Sequence, residues 1–538
     1  MITIPNPYSI QYLFFILIST FLIYKFDLSL WIGVVLFIIV IDRILKRDRK
    51  YLNVLSIFQK YIDKYNNWQA APYLITAFRF KLPKYIAILN FIITLFFWLS
   101  FDTSTAKFQH IFWINSIELL PNQPLTFGID GISLFFIVLT SFMLPILLFT
   151  ISRTVNHQDY FWEIYTISLK MITFFLILAF SAMDLFSFFI FFESTLIPMF
   201  IMIGIWGSRI NKRKANFYFV LYTLLGSFLL LTGILIIYSE MGSVHIWILF
   251  SNKLSLSKQF ILWIFFFIAF AVKIPMLPVH LWLPEAHVEA PTVGSVLLAS
   301  LLLKLGGYGF IRFLIPIMPE ASFYFSNLVY TLAIISIIYS SLNTLRQIDL
   351  KKIIAYSSIA HMNMVVMGIF SWNLQGISGA IFLMIGHGIV SGALFLLVGS
   401  LYDRFHTRLL RYYGGLAQTM PLFCFLFFVF NLANMGFPGT INFIGEFLIF
   451  LGLMSINPLL VIGCSFSVVF SAIYSLWLFN RISFGTLRHL NNHFLDITIN
   501  ELRYFLPLLV LTVFLGIFPN IILETIYFSV KFLTTNLF

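Results

Sequence analysis

The segment VKIPMLPVHLWLPEAHVEAPTVGSVLLASLLLKLGGYGFIRF, residues 272–313, contains the features that determine the architecture of this chain. It joins an apolar helix that ends at Pro275 and Pro278 to a second apolar run that carries Lys304 far from either end. A proline removes a helical hydrogen bond and clashes with the preceding turn, so the first helix is expected to break beside Lys273. Broken helices and buried lysines are typical of membrane transport proteins.

The composition of the whole chain excludes a soluble protein. Of its 538 residues, 60% are hydrophobic and 10% are charged, and the mean hydropathy is +0.96. Soluble domains carry about 25% charged residues. Apolar runs of about 20 residues, long enough to span a bilayer, recur along the chain. We therefore predict an all-α polytopic membrane protein. The net charge of +12 is attributed to the excess of Lys and Arg in loops that orients transmembrane helices, and no nucleic acid partner is expected.

Fifteen apolar segments are predicted, which corresponds to about 14–15 transmembrane helices. The segments lie at about 10–24, 28–45, 85–101, 131–152, 163–183, 184–207, 216–239, 257–275, 291–315, 323–343, 350–371, 374–402, 418–455 (interrupted), 457–480 and 503–526. Residues 46–84 form a polar linker rich in Lys and Arg. Residues 104–130 contain prolines and glycines that predict a turn or a short hairpin.

The loop cations test this order of helices. If every segment crosses the membrane once, most loop cations lie on one side of the membrane, as the positive-inside rule requires. They are Lys46, Arg47, Arg49, Lys50, Lys60, Lys64, Arg153, Arg209, Lys212, Arg213, Lys214, Arg346, Lys351, Lys352, Arg404, Arg408, Arg411, Arg481 and Arg488. The other side holds only scattered cations such as Lys25, Lys107, Lys253 and Lys531. The N-terminus is then expected on the basic side and the C-terminus on the opposite side.

The cysteines and the N-terminus also narrow the class of protein. Cys424 and Cys464 lie inside apolar runs, so we expect neither a disulfide framework nor a metal site. Residues 1–9 show neither a basic region before the apolar run nor a small-residue cleavage site after it, so no cleavable targeting segment is predicted. This pattern favours a bacterial or organelle-encoded protein that is inserted during synthesis.

Six ionisable residues are predicted to lie within the membrane. They are Glu193, Lys273, Lys304, His361, His387 and Glu446. A charge at the bilayer centre costs about 2.5–3.5 kcal/mol or more, so each requires a partner or a water-filled cavity. Together they are candidates for a proton-relay path. The alternative is structural: either histidine could simply hydrogen-bond between helices, and Lys273 could extend to the interface. Lys170 is expected to reach the basic interface in this way.

A second helix is also expected to be interrupted. Residues 436–439 read Gly-Phe-Pro-Gly and precede Glu446, as Pro275 and Pro278 follow Lys273. Two interrupted helices in corresponding positions indicate an inverted-repeat transporter. We therefore predict two inverted five-helix repeats with two broken helices. The predicted divisions are 1–84 (N-terminal extension), 85–130 (helix and turn-rich loop), 131–290 (first repeat), 291–322 (central helix), 323–455 (second repeat) and 456–538 (C-terminal helices).

The segment 272–313 closely resembles the hallmark of subunit 4 of the proton-pumping NADH dehydrogenase, respiratory complex I. Further blocks resemble the same family in the same order. They are FFESTLIPMF (191–200), LRQIDLKKIIAYSSIAHM (345–362), MIGHGIVSGALF (384–395), FPGTINFIGEF (437–447) and AIYSLWLFNR (472–481). The resemblance covers about 130–530. HVEAPTVGS followed by LLLKLGGYG is the part that separates subunit 4 from the related subunits 2 and 5 and from cation antiporters.

This resemblance implies a 14-helix antiporter-like subunit of the membrane arm. By position, Glu193 matches the glutamate that pairs with the broken-helix lysine at Lys273, and Lys304 matches the central lysine. His361 and His387 match histidines on the hydrophilic axis, and Glu446 matches a glutamate near the far exit, where related subunits carry lysine. Residues 1–84 hold one more apolar segment than this plan requires.

The resemblance also implies the chemistry and the setting. The expected function is proton translocation coupled to NADH oxidation and quinone reduction elsewhere in the complex. NADH, FMN, iron–sulfur clusters and ubiquinone would belong to partner subunits, with no cofactor or metal in this chain. The expected partners are other membrane-arm subunits, including subunits 2 and 5, together with lipids, in the mitochondrial inner membrane or a bacterial inner membrane. The alternatives are a subunit of a multisubunit Na⁺/H⁺ antiporter and a purely structural scaffold.

Overall fold

The computed structural model describes residues 71–120, 123–154, 160–209, 211–252, 254–486 and 495–536. The predicted segments 10–24 and 28–45 and linker residues 46–70 lie outside this range. The chain divides into two compact units, residues 1–95 and 96–538. In the described part of the first unit, a helix begins at Ala71, inside the predicted linker 46–84, and continues to Leu99 in the second.

The described part of the chain is a bundle of apolar helices, which confirms the predicted polytopic all-α fold. Eleven of the described helices are long and apolar enough to cross a bilayer. Their bounds are Gly131–Thr154, Tyr160–Ser181, Leu185–Trp206, Lys212–Met241, Leu256–Lys273, Thr292–Ile317, Ser326–Arg346, Leu350–Ile369, Leu374–Phe405, Pro458–Ser483 and Ile499–Ile517. Shorter helices are Ile246–Ser251, Trp282–Glu289, Pro319–Tyr324, Leu416–Thr419, Pro421–Asn434, Ile441–Met454 and Asn520–Asn536.

A β-hairpin precedes the helix that begins at Gly131, as the turn residues of 104–130 predict. Strands Gln109–Leu120 and Gln123–Ile129 pair antiparallel. The rings of Phe112 and Phe127, which face each other across the hairpin, stack with centroids 5.0 Å apart.

Two predicted segments contain a proline that interrupts the helical hydrogen bonds. The segment 184–207 forms one span, Leu185–Trp206, as predicted, with an irregular turn at Thr195 between Leu185–Ser194 and Leu196–Trp206. Pro198 has no backbone N–H to donate to the carbonyl of Ser194, four residues earlier, so the helical ladder is interrupted there.

The predicted C-terminal segment 503–526 is divided. One helix ends at Ile517 and the next begins at Asn520, with Pro519 between them. The last helix lies beside the start of the helix that follows the hairpin, because the N–H of Gly131 donates to Ser529 Oγ at 3.2 Å. The described end of the chain thus lies at the hairpin end of the bundle.

Ion pairs confirm the predicted side for several basic loops. Arg209 Nη1 lies 3.2 Å from Asp349 Oδ2, and Lys352 Nζ lies 3.0 Å from Glu285 Oε1. Arg408 also approaches Asp349, with Nε 4.0 Å from Oδ1. These residues come from loops or helix ends that the alternation of helices places on one side. We call this end of the bundle the basic end.

Both predicted breaks are present. The first broken helix consists of Leu256–Lys273 and Trp282–Glu289, and the second of Pro421–Asn434 and Ile441–Met454. In the first, Trp282 Nε1 donates to the carbonyl of Val272 at 2.9 Å. Side chains thus satisfy backbone groups that the break frees, which permits irregular backbone within a membrane protein.

Helix order supports two inverted units. In residues 160–317, helices of 22, 22 and 30 residues precede the first broken helix and one of 26 residues follows it. In residues 326–483, helices of 21, 20 and 32 residues precede the second broken helix and one of 26 residues follows it. Each unit has five spans, so the second starts at the opposite end from the first. The predicted divisions 131–290 and 323–455 remain a prediction.

Candidate proton-transfer site

Lys304 lies at the centre of a helix that is buried throughout. In the helix Thr292–Ile317, which we call the Lys304 helix, the whole apolar span is buried inside the protein. Lys304 is fully buried, about 18 Å from the first residue of the helix. Its amine donates to the carbonyl of Ala299, which belongs to the π-helical turn Leu298–Leu302. π-Helical turns widen a helix locally and are frequent at functional sites.

His387 is the next residue of the site. It lies in the helix Leu374–Phe405, whose apolar span is also entirely buried. Its Nδ1 lies 2.9 Å from Lys304 Nζ, within hydrogen-bond distance. Among the described residues, no carboxylate forms a salt bridge with Lys304. The amine therefore has an imidazole as its ionisable partner, and a proton can pass between them along one hydrogen bond.

The glycines beside His387 explain how the two buried helices approach so closely. A Cβ at Gly388 would lie 3.0 Å from the carbonyl oxygen of Ser300 and 3.6 Å from Lys304 Cε. A Cβ at Gly386 would lie 2.6 Å from Asn442 Oδ1 on the second broken helix. The sequence Gly-His-Gly thus leaves room for a helix on each side of the imidazole.

The series of buried ionisable residues continues from His387 to His361 and Glu446. The imidazole centroids of His387 and His361 are 5.8 Å apart. His361 Nδ1 lies 3.3 Å from Glu446 Oε1, although the two atoms are not aligned as a hydrogen bond. Glu446 is 3% exposed. Four predicted residues therefore form one buried series, Lys304–His387–His361–Glu446, which we call the central line.

The glutamate contacts the break in its own helix. Side chains of a helix point towards its N-terminus, and the carboxylate of Glu446 lies against Gly436, where any Cβ would collide with Oε2. Gly436 also has φ +74°, which favours glycine. The carboxylate is thus next to the unwound backbone rather than two turns away from it.

Several polar atoms of the central line and of the neighbouring Asn442 have no hydrogen-bond partner among the described residues. They are Nε2 of His387, both ring nitrogens of His361, and Oδ1 and Nδ2 of Asn442. These side chains are all buried. Buried polar groups in this arrangement are typical of sites where water completes the hydrogen bonds. The central line thus has donors and acceptors suited to a hydrated proton path.

Glu193 and Lys273 form a separate pair. Their charges interact, but the two side chains are not in direct salt-bridge contact. Lys273 Nζ lies 4.2 Å from the centroid of the Phe192 ring, a cation–π contact. The carboxylate of Glu193 faces Ser227, and within the described part of the chain its Oε1 has no hydrogen-bond partner. The structure thus places these two predicted residues near one another, with no direct contact to the central line.

The sequence analysis missed some polar residues of this region. Asn442 and Tyr474 lie near the central line, His287 is buried in the second half of the first broken helix, and Lys351 donates to the carbonyl of Ala290 at the end of that helix. The hydroxyl of Tyr474 faces Glu446 and Ser357 without an aligned hydrogen bond. Asn442 and Tyr474 are uncharged, so their burial costs too little to mark them in the sequence. Lys351 was assigned to a basic loop, but the structure shows that it is 2% exposed. His287 is in the segment 272–313, but the surrounding prolines and glutamates indicate a loop.

The comparisons with known proteins agree with this architecture. A family model described as NADH:quinone oxidoreductase/Mrp antiporter, TM, matches residues 182–471. NADH-ubiquinone oxidoreductase chain 4 of Marchantia polymorpha is 50% identical over 83% of this chain and 89% of its own length. The protein of the same name from Arabidopsis thaliana is 51% identical over 83% of this chain and 89% of its own length.

Solved structures show the same fold. A chain of respiratory complex I from Thermus thermophilus with bound NADH has a TM-score of 0.77 and 30% identity, over 85% of this chain and 95% of that chain. A chain of the Mrp complex from Dietzia has a TM-score of 0.75 over 85% of this chain and 93% of that chain, and at 19% identity it shows the fold alone. This chain therefore belongs to the NADH:quinone oxidoreductase/Mrp antiporter family of membrane proteins, within the group of NADH-ubiquinone oxidoreductase chain 4 proteins.

Proposed function

We propose that this chain translocates protons as a membrane-arm subunit of NADH:ubiquinone oxidoreductase, and that the central line carries them. The observation on which this rests is the continuous buried series Lys304–His387–His361–Glu446, with neighbouring groups 2.9 Å and 3.3 Å apart at its two ends. An amine, two imidazoles and a carboxylate can each gain and lose a proton. A proton can therefore move in steps, while apolar helices on both sides exclude other ions.

The redox chemistry belongs, in this proposal, to partner subunits. The sequence has no glycine-rich dinucleotide motif after a strand, and its two cysteines cannot supply the four thiolates of an iron–sulfur cluster. NADH, FMN, the clusters and ubiquinone would then bind elsewhere in the complex. In this proposal, the redox reaction in the partner subunits affects this chain by shifting the charges of Glu193 and Lys273.

We further propose that neighbouring antiporter-like subunits 2 and 5 cover its flanks in the mitochondrial inner membrane. Large apolar side chains are exposed on the helices Lys212–Met241 and Pro458–Ser483, as expected for surfaces that meet lipid or other membrane proteins. Beside Ser227, Phe189 and Phe228 line an open apolar groove of about 570 Å³. The similarity to eukaryotic relatives supports the mitochondrial setting.

Removal of the charge at Glu446 tests the proposed path. Glu446→Gln keeps the shape of the side chain but cannot exchange a proton, so we expect NADH-driven proton transfer into vesicles to slow at least about tenfold. Glu446→Lys should retain part of the rate, since an amine can also carry a proton. The control is Glu320→Gln, which removes an exposed carboxylate. Normal pumping by the Gln variant would remove Glu446 from the path.

The pair Glu193 and Lys273 provides a second prediction. Glu193→Gln or Lys273→Ala should lower proton transfer and coupled NADH oxidation together, because each charge influences the protonation of the other. Assembly should survive, since neither change breaks a direct salt bridge. Glu240→Gln is the matched control: it removes a partly exposed pair with Lys258, which contributes at most about 1 kcal/mol. Full pumping in both variants of the pair would exclude it from coupling.

A further inference from the structure

The two halves of the second broken helix are hydrogen-bonded to opposite ends of one other helix. That helix is Leu374–Phe405, which carries His387 and which we call the His387 helix. We call Pro421–Asn434 the first half of the broken helix and Ile441–Met454 the second half, which carries Glu446. The groups that form these contacts are not members of the central line.

Asn373 forms the contact at the start of the His387 helix. Its Oδ1 accepts from the N–H of Gly376 at 2.9 Å and so caps that helix. Its Nδ2 donates to the carbonyl of Gly452 at 2.6 Å and to Ser455 Oγ at 2.7 Å. Carbonyl groups in the last turn of a helix have no partner within the helix, and the amide satisfies one of them. One side chain therefore caps the His387 helix and binds the end of the second half.

Glycines lie in the contact between these two helices. A Cβ at Gly452 would lie 2.6 Å from the Cα of Gly376, and a Cβ at Gly445 would lie 2.7 Å from Leu383 Cβ. Glycine lets the helices approach closely, but it has no side chain that interlocks with the opposite helix and prevents sliding along the axis. The hydrogen bonds of Asn373 therefore fix the second half along the His387 helix, and with it the depth of its carboxylate.

Arg404 forms the contact at the other end of the His387 helix. Its guanidinium donates to the carbonyl of Ser400 in its own helix, to both carboxylate oxygens of Glu501, and to the carbonyls of Leu495 and Asp496. The two bonds to Glu501 are 2.9 Å and 2.7 Å long and form a bidentate pair. All five N–H groups of the guanidinium are thus used, so the segment that contains these last three residues is held at one position beside the helix.

Asp496 extends this contact to the first half of the broken helix. Pro421 begins that helix, and Met420 before it has no side-chain oxygen to cap the first N–H groups. The Asp496 carboxylate accepts from the N–H of Leu422 at 2.7 Å and from the N–H of Phe423 at 3.1 Å. A carboxylate at a helix N-terminus satisfies its donors and interacts favourably with the helix dipole. The first half is therefore linked, through this aspartate, to the end of the His387 helix.

Both links act on the break that lies between the two halves. The first half ends at Asn434, and Gly436 beyond it lies against the carboxylate of Glu446. That carboxylate lies 3.3 Å from His361 in the central line. Each half is a helix of 14 residues, about 21 Å long, so a shift at its outer end is carried to the break. The position of the carboxylate thus depends on both links.

We propose that Asn373 and Arg404 are positioning residues for Glu446. Asn373 sets the place of the half that carries the carboxylate. Arg404, acting through Asp496, sets the place of the half on the other side of the break. Neither residue exchanges a proton with the central line, and together they keep the carboxylate within reach of His361. This inference rests on the proposed function, because it concerns proton transfer at one member of the central line.

Conservative substitutions that remove only the links test this role in the whole complex in vesicles. Asn373→Ser keeps a side-chain cap but lacks the amide donor, and Arg404→Lys keeps the charge but not the forked geometry. Each should slow NADH-driven proton transfer, per assembled complex, at least about fivefold, since a shift of about 1 Å can cost up to about 100-fold. Asn457→Ser is the matched control and should leave the rate unchanged. Among the described residues, the Asn457 side chain bonds only to its own helix, Pro458–Ser483.

The pH dependence of the rate separates positioning from a purely structural role. Among the described residues, the titratable groups that face Glu446 are His361, Tyr474 and Cys464. A displaced carboxylate lies at different distances from these neighbours, so the midpoint of the pH profile should move by about 0.5 unit or more in both variants. A structural role would lower the amount of complex on native gels and leave the pH profile of the remaining complex unchanged.

Each outcome decides the proposal. If both variants pump at the wild-type rate while Lys304→Met does not pump, the positioning role is wrong and the proposed function stands. If Lys304→Met itself pumps normally, the proposed function fails, and this inference fails with it. If activity falls only in proportion to lost complex, if the pH midpoint does not move, or if Asn457→Ser is equally slow, the two links are structural and the proposal is wrong. Asp496→Asn, which keeps one acceptor oxygen, replaces Arg404→Lys if that variant does not assemble.

Discussion

Lys304→Met is expected to abolish NADH-driven proton transfer while the complex still assembles. Methionine has nearly the volume of the lysine stem and suits a fully buried site. The substitution also removes a buried polar group whose partners are an imidazole and one carbonyl. The helix should therefore keep its place, but the central line loses its first proton carrier. We expect the proton-transfer rate to fall about 100-fold or more.

Lys304→Arg distinguishes loss of charge from loss of proton exchange. An arginine stays protonated in proteins, so it keeps the positive charge but cannot release a proton to His387. The Arg variant should therefore be as inactive as the Met variant. If Arg restores pumping, Lys304 acts only through its charge, and the stepwise path through His387 is incorrect.

The second large effect is on stability. Arg312 lies in the π-helical turn Phe310–Leu314 of the Lys304 helix and pairs with Asp130 at the end of the hairpin. Both residues are at most 3% exposed, and Arg312 Nε also donates to Tyr308 Oη at 3.3 Å. Removing one partner of a buried pair leaves the other charge uncompensated and costs about 3–5 kcal/mol.

Arg312→Leu should therefore greatly lower the amount of assembled complex and its melting temperature. The double variant Arg312→Leu with Asp130→Asn should recover part of both, because no unpaired charge remains. The control is Lys258→Met, which breaks a pair of partly exposed side chains. If Arg312→Leu has the same melting temperature as the control, the pair Asp130–Arg312 does not stabilise the contact between the hairpin and the Lys304 helix.

Helix positions in this chain follow from sequence because each one depends on local composition. Long apolar runs, the breaks at Pro275 and Gly436 and the hairpin within residues 104–130 can all be predicted in this way. The helix interruptions at Pro198 and Pro519 are harder to predict from the sequence. Apolar side chains continue across both prolines, so hydropathy hides a break that backbone hydrogen bonding imposes.

The charged members of the site are predictable for a similar reason, whereas their pairing is not. A glutamate or lysine within an apolar helix stands out by its burial cost alone. The contact between Lys304 and His387 joins residues 83 positions apart, and it depends on how closely Gly388 lets two helices approach. Such packing cannot be read from one segment. His287 illustrates the opposite error, since the prolines and glutamates around it predict a loop but its side chain is completely buried.

The most direct test of the account is NADH-driven acidification of vesicles that contain the complex, measured in sodium-free buffer with the wild-type chain and with Lys304→Met. The account predicts that the wild-type complex transports protons at the same rate with and without sodium, and that Lys304→Met transports almost none while it remains assembled. Acidification that requires sodium would contradict the account and favour the antiporter alternative. Acidification that persists in Lys304→Met would show that protons do not pass along the central line.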